Sequence, residues 1–232
     1  MKELLPPERH YVGLVPAINP LYLHETNRGI QGAHADLFAK GLFAIAAPQG
    51  TVGAAVKLAA DLAALLGAVP LFMDLAEVDS LTASLYLLPQ LTAASLTNTL
   101  LNRGDWMDGC KLAGRFFAEI TALTIDGEEA DSLVDAVMQN RENVVRNLDG
   151  LIAGLEELRE TIALEKRKDF AKNIRHARQG TTQWWKERNT GDWKSAEVEK
   201  PGQAKGSLWK RLFGDLGKSF SPPKNAGGNE KT

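Results

Sequence analysis

Hydrophobic positions change register along the chain, from short continuous runs near the start to helical spacing later on. The short runs are residues 11–15 (YVGLV), residues 41–47 (GLFAIAA), which stop at Pro48, and Val69–Met73. Apolar stretches of this length, bounded by Pro and Gly, predict buried strands. Pro16 and Pro20 punctuate the first as a strand end entering a loop, and a short helix is expected over residues 33–38. Between the second and third runs, Val52, Ala55, Val56, Ala59, Leu62, Ala63 and Leu66 share one helical face. Thr51 is placed to cap that helix, and Gly67 stands where a left-handed C′ residue is favoured. Strand, helix and strand with short connections predict a βαβ unit. Three strands and one or two helices cannot cover both faces of a parallel sheet, so further coverage is expected from residues before Met1 or from a partner.

The rest of the chain reads as helix. Over residues 75–101 Leu81, Leu85 and Leu88 fall at i, i+4, i+7, and Ala93, Ala94, Ser95 and Thr97 leave room for a close neighbour. One buried central helix is expected, kinked near Pro89. Asp105 and Asp108 give a capping-box-like start to a helix over residues 106–123. Asp126, with Glu128 and Glu129 behind it, is expected to open another that runs past residue 160. From Val144 the apolar positions Leu148, Leu151, Leu155, Leu158 and Ile162 alternate four and three apart. That is a heptad seam, expected to meet a second long helix within the chain or across a homodimer. A last amphipathic helix with Phe170, Ile174, Ala177 and Trp184 is expected to pack back on the pair.

Beyond about Asn189 the composition shifts to Lys, Gly, Ser, Pro and Asn, which predicts a mobile tail. Within it Leu208, Trp209, Leu212, Phe213, Leu216 and Phe220 line one side of a segment carrying Lys205, Lys210, Arg211 and Lys218. Such a segment suits a membrane surface or a groove on a partner, though docking on its own domain or a mere aid to solubility is favoured because Gly206, Gly214 and Gly217 weaken it as a helix.

Charge narrows the functional classes. The 27 basic and 29 acidic residues of the 232 nearly cancel, which argues against nucleic acid as a partner. A lone cysteine, Cys110, excludes an intrachain disulfide framework and suits a reducing compartment. The polar start does not read as a secretory signal, and Gln, Lys and Asp interrupt every apolar run before it could span a bilayer. A soluble cytoplasmic protein is expected. Neither GxGxxG nor GxxxxGK[ST] occurs, so no nucleotide-binding loop is legible. His10, His24, His34 and His176 lack metal-ligand spacing, and no metal site is expected. His10 and His24 nonetheless flank the strand-to-loop edge where α/β proteins place their sites. Asn140, Arg141, Glu142 and Asn143 interrupt an apolar seam, either as a solvated turn or as a polar pocket.

The succession GLVPAINP, DLFAKGLFAIAAP, LLGAVPLFMD, AEVDSLTASLYLLPQLTA, KLAGRFFAEITA and MQNRENVVRNLDGLIAGLEELRETI is similar to the prephenate and arogenate dehydrogenases of tyrosine biosynthesis, over about residues 9–188. The resemblance implies an α/β remnant of a Rossmann-type domain followed by an all-α dimerisation domain, mainly α overall. It implies boundaries of 1–74 for the incomplete α/β part, 75–189 for the helical domain and 190–232 for the tail. It also implies oxidative decarboxylation of an aromatic-pathway acid with NAD or NADP, a histidine withdrawing the hydroxyl proton. This chain alone is not expected to bind the cofactor, and it reads as a fragment or half-enzyme. The family's HP dipeptide falls on Val15-Pro16, its HD pair on Val78-Asp79, and its SHLPH motif on Tyr86-Leu87-Leu88-Pro89-Gln90. The expected histidines are therefore absent, and His10 or His24 are the candidate bases. Arg115 matches an arginine that grips a substrate carboxylate, and Tyr86, Gln90 and Asn140 complete the candidate substrate site. The alternative is a non-catalytic helical dimerisation or ligand-sensing module of the same descent.

Overall fold

The computed structural model describes residues 5–6, 9–25, 27, 29–126 and 129–191. They are mainly helical, carry one three-stranded sheet, and form two compact units. The first draws on Met1–Leu23, His34–Phe72 and Gln183–Thr232, the second on His24–Ala33 and Met73–Thr182.

In the first unit the strands lie in the order β1 (Gly13–Ala17), β2 (Leu42–Ala46), β3 (Val69–Met73). β1 and β2 are antiparallel, with Gly13 opposite Ala46 and Ala17 opposite Leu42. The Val69 N–H donates to the Gly41 carbonyl at 2.9 Å, which sets the start of β3 beside the start of β2. The crossover helix α1 (Gly53–Leu65) lays Val56, Ala59, Ala60 and Ala63 on Phe43 and Ile45. Its alanine stripe lets helix and sheet approach closely. The buried face is accordingly shifted from the expected one, with Ala60 inside and Leu62 and Leu66 exposed. Thr51 does not cap α1: its hydroxyl donates to the Pro48 carbonyl at 2.8 Å, and Val52 occupies the N-cap position. Gly67 takes the expected left-handed conformation at φ +77°.

Two further expectations are corrected here. β1 runs on through Pro16, opposite Phe43, because an edge strand can turn a missing N–H outward. Residues 35–40 form successive turns where a helix over 33–38 was expected, with the Leu37 N–H bonded to the His34 carbonyl at 3.1 Å and the Ala39 N–H to the Asp36 carbonyl at 2.9 Å. The turns end at Gly41, where a Cβ would strike the carbonyls of Ala17 and Phe38.

In the second unit the single helix expected over residues 75–101 is three segments: α2 (Leu75–Thr82), a π-helical turn (Ala83–Leu87) and α3 (Leu88–Leu101). Pro89 has no N–H to give the carbonyl four residues back. The backbone accommodates this by widening the preceding turn, where the Leu88 N–H reaches the Ala83 carbonyl. An added residue rotates the following face by about 100°. The buried stripe is thus Ala83, Leu87, Gln90 and Ala93, while Leu81 and Leu85 point outward, Leu85 at 74% exposure. Val144 packs on Ala83 and Leu87, which closes a small core bordered by Leu91, Leu133 and Leu148.

The helix expected over 106–123 is also divided, into α4 (Trp106–Leu112), α5 (Arg115–Thr121) and, beyond them, α6 (Leu123–Asp126). Gly114, at φ −113° and ψ −161°, is extended and breaks the run. Asp105 makes no cap bond, because its carboxylate accepts from Arg103 through Nε at 2.8 Å and Nη2 at 2.7 Å. Asp126 closes α6 instead of opening the next helix, α7 (Ala130–Gln139), and Glu128 lies outside the described residues. Asn140 separates α7 from α8 (Arg141–Ala163). Along the heptad seam Val144 is buried and Leu148, Leu151 and Leu158 are half-buried, but Leu155 and Ile162 are exposed. On α9 (Arg167–Thr190) Phe170 is half-buried and Ile174, Ala177 and Trp184 are exposed, so the expected packing of that stripe is only partial. The basic amphipathic segment around Trp209 lies outside the described residues. Among the described residues no helix is long and apolar enough to cross a membrane.

Candidate functional site

Three of the four substrate-site candidates lie around the π turn of the second unit. Tyr86 is on the turn itself with its side chain exposed, and the buried Gln90 amide donates to the Tyr86 carbonyl at 3.0 Å. Asn140 sits at the junction of α7 and α8, both of which lie against the π turn. Its Nδ2 donates to the Asp79 carbonyl at 2.6 Å, and its Oδ1 accepts from Asn143 Nδ2 at 2.8 Å. Asn143 accepts in turn from Arg146 Nη1 at 3.1 Å. The polar break in the seam is therefore a hydrogen-bonded string that fastens the helix junction to α2. Arg115 stands apart on α5, which packs against α3 and α6. Its exposed guanidinium donates to Glu119 Oε1 at 2.7 Å, and this hydrogen bond, then the carboxylate charge, raises its pKa above the ordinary value.

His10 is exposed in the first unit and His24 is exposed in the second. The sequence reading passed over a different group, at the carboxyl end of β1. There Asn19 is buried: its N–H donates to the Leu37 carbonyl at 2.7 Å and its Nδ2 to the Asp36 carbonyl at 3.2 Å. Its Oδ1 accepts the Leu21 N–H at 3.1 Å and so caps a single 3₁₀ turn, Pro20–Tyr22. On that turn the Tyr22 hydroxyl donates to Asp36 Oδ1 at 2.6 Å, and the ring stacks on His34 with centroids 4.0 Å apart. Arg188, from the last turn of α9, donates from Nη2 to the Ile18 carbonyl. Burial leaves Arg188 only 6% exposed and pushes its pKa below the ordinary value. The Asn19-Pro20 pair, a cap before a proline at the first helical position, was the available signal.

Two apolar clefts open elsewhere in the second unit. One, of about 280 Å³, lies between Leu100, Trp106, Leu112 and Phe117, with Arg103 and Asp105 at its edge. The other, of about 290 Å³, lies between Pro89, Leu96, Ile120 and Leu123. Neither contains a candidate site residue, and the charges of Arg103 and Asp105 are spent on each other. Among the described residues no cluster of metal ligands occurs.

Neither a protein-family model nor a curated protein matches the chain. Solved structures do. Synechocystis arogenate dehydrogenase matches with a TM-score of 0.63 at 16% identity, over 76% of this chain and 62% of that one. Prephenate dehydrogenase from A. aeolicus, in complex with hydroxyphenyl propionate and NAD+, matches with a TM-score of 0.65 at 20% identity, over 74% of this chain and 58% of that one. The fold is that of the prephenate and arogenate dehydrogenases. This chain spans about three fifths of the length of those two proteins.

A dehydrogenase of this fold implies a nicotinamide dinucleotide, and the described residues do not fit one. The connection from β2 to α1 contains Pro48, which has no N–H, and Thr51, whose hydroxyl is turned back to Pro48. The N-terminus of α2 is already capped by Asp74, which accepts the Glu77 N–H at 2.7 Å, and with Glu77 in the first turn it would repel a phosphate. The positions on which the sequence resemblance places the family's histidines carry no base: Val15 lies within β1, and Leu87 and Gln90 face the core of the helical unit.

Proposed function

We propose that this chain is a prephenate- or arogenate-dehydrogenase-like protein of tyrosine biosynthesis. In the complete protein the activity would be NAD- or NADP-dependent oxidative decarboxylation of an aromatic-pathway acid. The likeness of fold to two dehydrogenases of that pathway carries the reading. The sheet unit corresponds to the remnant of a Rossmann-type domain and the helical unit to a dimerisation domain. Dinucleotide binding then depends on residues other than those described. Arg115 offers a planar, bidentate fork to a substrate carboxylate once Glu119 gives way, and Tyr86, Gln90 and Asn140 flank the helical face beside the π turn. Since valine cannot accept a proton, the base is His10 or His24. The lone exposed Cys110 suits the cytoplasm, whose reducing conditions keep it a thiol.

Titration of the recombinant chain with prephenate, arogenate, NAD and NADP, followed by an assay of cofactor reduction, tests this. One of the two acids should bind, and Arg115→Ala should weaken it; a chain that binds neither acid would overturn the reading. Self-association is part of the same proposal. Leu112, Phe116 and Ile125 on α4 to α6, and Leu155 and Ile162 on α8, are large exposed apolar side chains of the kind that mark interfaces. Sedimentation velocity should find a dimer that persists on dilution.

A second reading, a non-catalytic dimerisation or ligand-sensing module, is favoured by Val15, Leu87 and Gln90 standing where the family's histidines fall. Saturable binding of the acid without any cofactor reduction distinguishes it from the first.

A further inference from the structure

The crossover helix α1 is apolar on two sides. Its alanine-lined face lies on the sheet, while Leu58, Leu62 and Leu65, at i, i+4, i+7, form a second stripe along the outward face. Leu58 is 71% exposed and Leu65 83%, and Leu66 beside them is exposed as well. The charges flanking the stripe, Lys57 and Asp61, pair with each other. A row of leucines that the described residues leave in water forfeits burial free energy, and such a row marks an interaction surface.

The end of α1 and the end of α9 lie at one end of the sheet. The Gly67 carbonyl, just past α1, accepts the Lys40 N–H at 3.0 Å, and Leu42, two residues on, lies opposite Ala17 at the close of β1. Arg188, in the last turn of α9, donates to the carbonyl of Ile18, the next residue. The chain therefore leaves α9 at Thr190 near the end of the unit that carries Leu65 and Leu66. Residues 208–220 lie outside the described residues, and their sequence supplies a complement to the stripe. Leu208, Trp209, Leu212, Phe213 and Leu216 fall on one helical side, with Lys205, Lys210, Arg211 and Lys218 around them. Gly214 and Gly217 weaken that segment as a lone helix, so it gains order only against an apolar surface. As a coil, the stretch between Thr190 and Leu208 spans about 20–25 Å, and α1 is about 20 Å long. A tether that matches its target in this way gives an effective concentration of about a millimolar, above that of any second copy in dilute solution.

We propose that residues 208–220 dock on the outward face of α1. Their leucines and aromatic rings cover Leu58, Leu62, Leu65 and Leu66, and their lysines and arginine stay in water. The contact belongs to the first unit and does not rest on the proposed function.

Two double variants of the full chain provide the test, Leu58→Ser with Leu65→Ser on α1, and Trp209→Ser with Leu212→Ser in the segment. Amide exchange over residues 208–220 should be slowed in the wild type and should quicken by about tenfold or more in both variants. The α1 substitutions are at exposed positions, so circular dichroism should be unchanged; if they unfold the chain, the segment variant still decides. A nitroxide on Ala54→Cys, one turn before Leu58 and with Cys110→Ser removing the native thiol, locates the contact. It should broaden the Gly214 and Gly217 amides, and Trp209→Ser with Leu212→Ser should sharpen them again. Mixing nitroxide-bearing chain with isotopically labelled chain separates the occupants, since broadening that arises between molecules gives the stripe to a second copy and overturns the proposal. Exchange over 208–220 as fast as in a free peptide, slow exchange that neither variant relieves, or protection that appears only with phosphatidylglycerol vesicles would each overturn it too. No pathway acid or nicotinamide enters the experiment, so its failure is separable from failure of the proposed function.

Discussion

Truncating Leu87 to alanine tests the rotation of the buried face that follows from the π turn. The Leu87 side chain is 1% exposed and is enclosed by Ala83, Val144 and the half-buried Leu91, Leu133 and Leu148. Removing three carbons forfeits about 2.4 kcal/mol of transfer free energy at about 0.8 kcal/mol per methylene. Ala83 and Ala93 are too small to fill the gap, so an unfilled volume on the order of 50 Å³ adds roughly 1.2 kcal/mol. The expected loss is therefore about 3.5 kcal/mol. Leu85→Ala, two residues earlier and 74% exposed, should lie within about 0.5 kcal/mol of the wild type. Urea unfolding followed by far-UV circular dichroism, with the slope m compared across variants, measures both. The comparison should be run at two protein concentrations, because a contact of Leu85 with a second copy would make its cost depend on concentration. Equal losses for the two variants at low concentration would refute the rotated stripe and restore the unbroken helix with Leu81, Leu85 and Leu88 inside.

Other outcomes follow from single contacts. Gly41→Ala should destabilise the sheet unit by more than 1 kcal/mol, because the new Cβ meets two backbone carbonyls, and urea melts would show it. Gly67→Ala should cost about 1 kcal/mol through its left-handed φ of +77°, a penalty that Gly67→Asn should largely avoid. Asn140→Ala removes the bond to the Asp79 carbonyl and should cost about 1 kcal/mol, with faster amide exchange at the start of α8. The Asp105 carboxylate is held below its ordinary pKa first by its hydrogen bond from Arg103. Its contribution is therefore present above the unfolded carboxylate pKa and lost as pH falls through the lower folded one. A carboxylate NMR titration should move upward in Arg103→Gln, and an unchanged midpoint would deny the pairing.

Much of the local architecture was legible in the residues alone. β2, β3 and α1 could be located because continuous apolar runs and alanine periodicity are local properties, and Gly67 because only a residue without Cβ readily turns left-handed there. The succession of segments along the chain already resembles that of the dehydrogenases whose fold it shares. What the tertiary structure decided were matters of competition among neighbours. Pro89 could be read as a disturbance, but whether it bends the helix or widens the turn before it depends on which acceptors and side chains close the gap, here Ala83 and Gln90. The antiparallel pairing of β1 through Pro16 required an edge position that no local pattern reveals. Arg188 and Ile18 lie 170 residues apart, and their meeting is set by packing at long range, which spacing along a chain cannot encode.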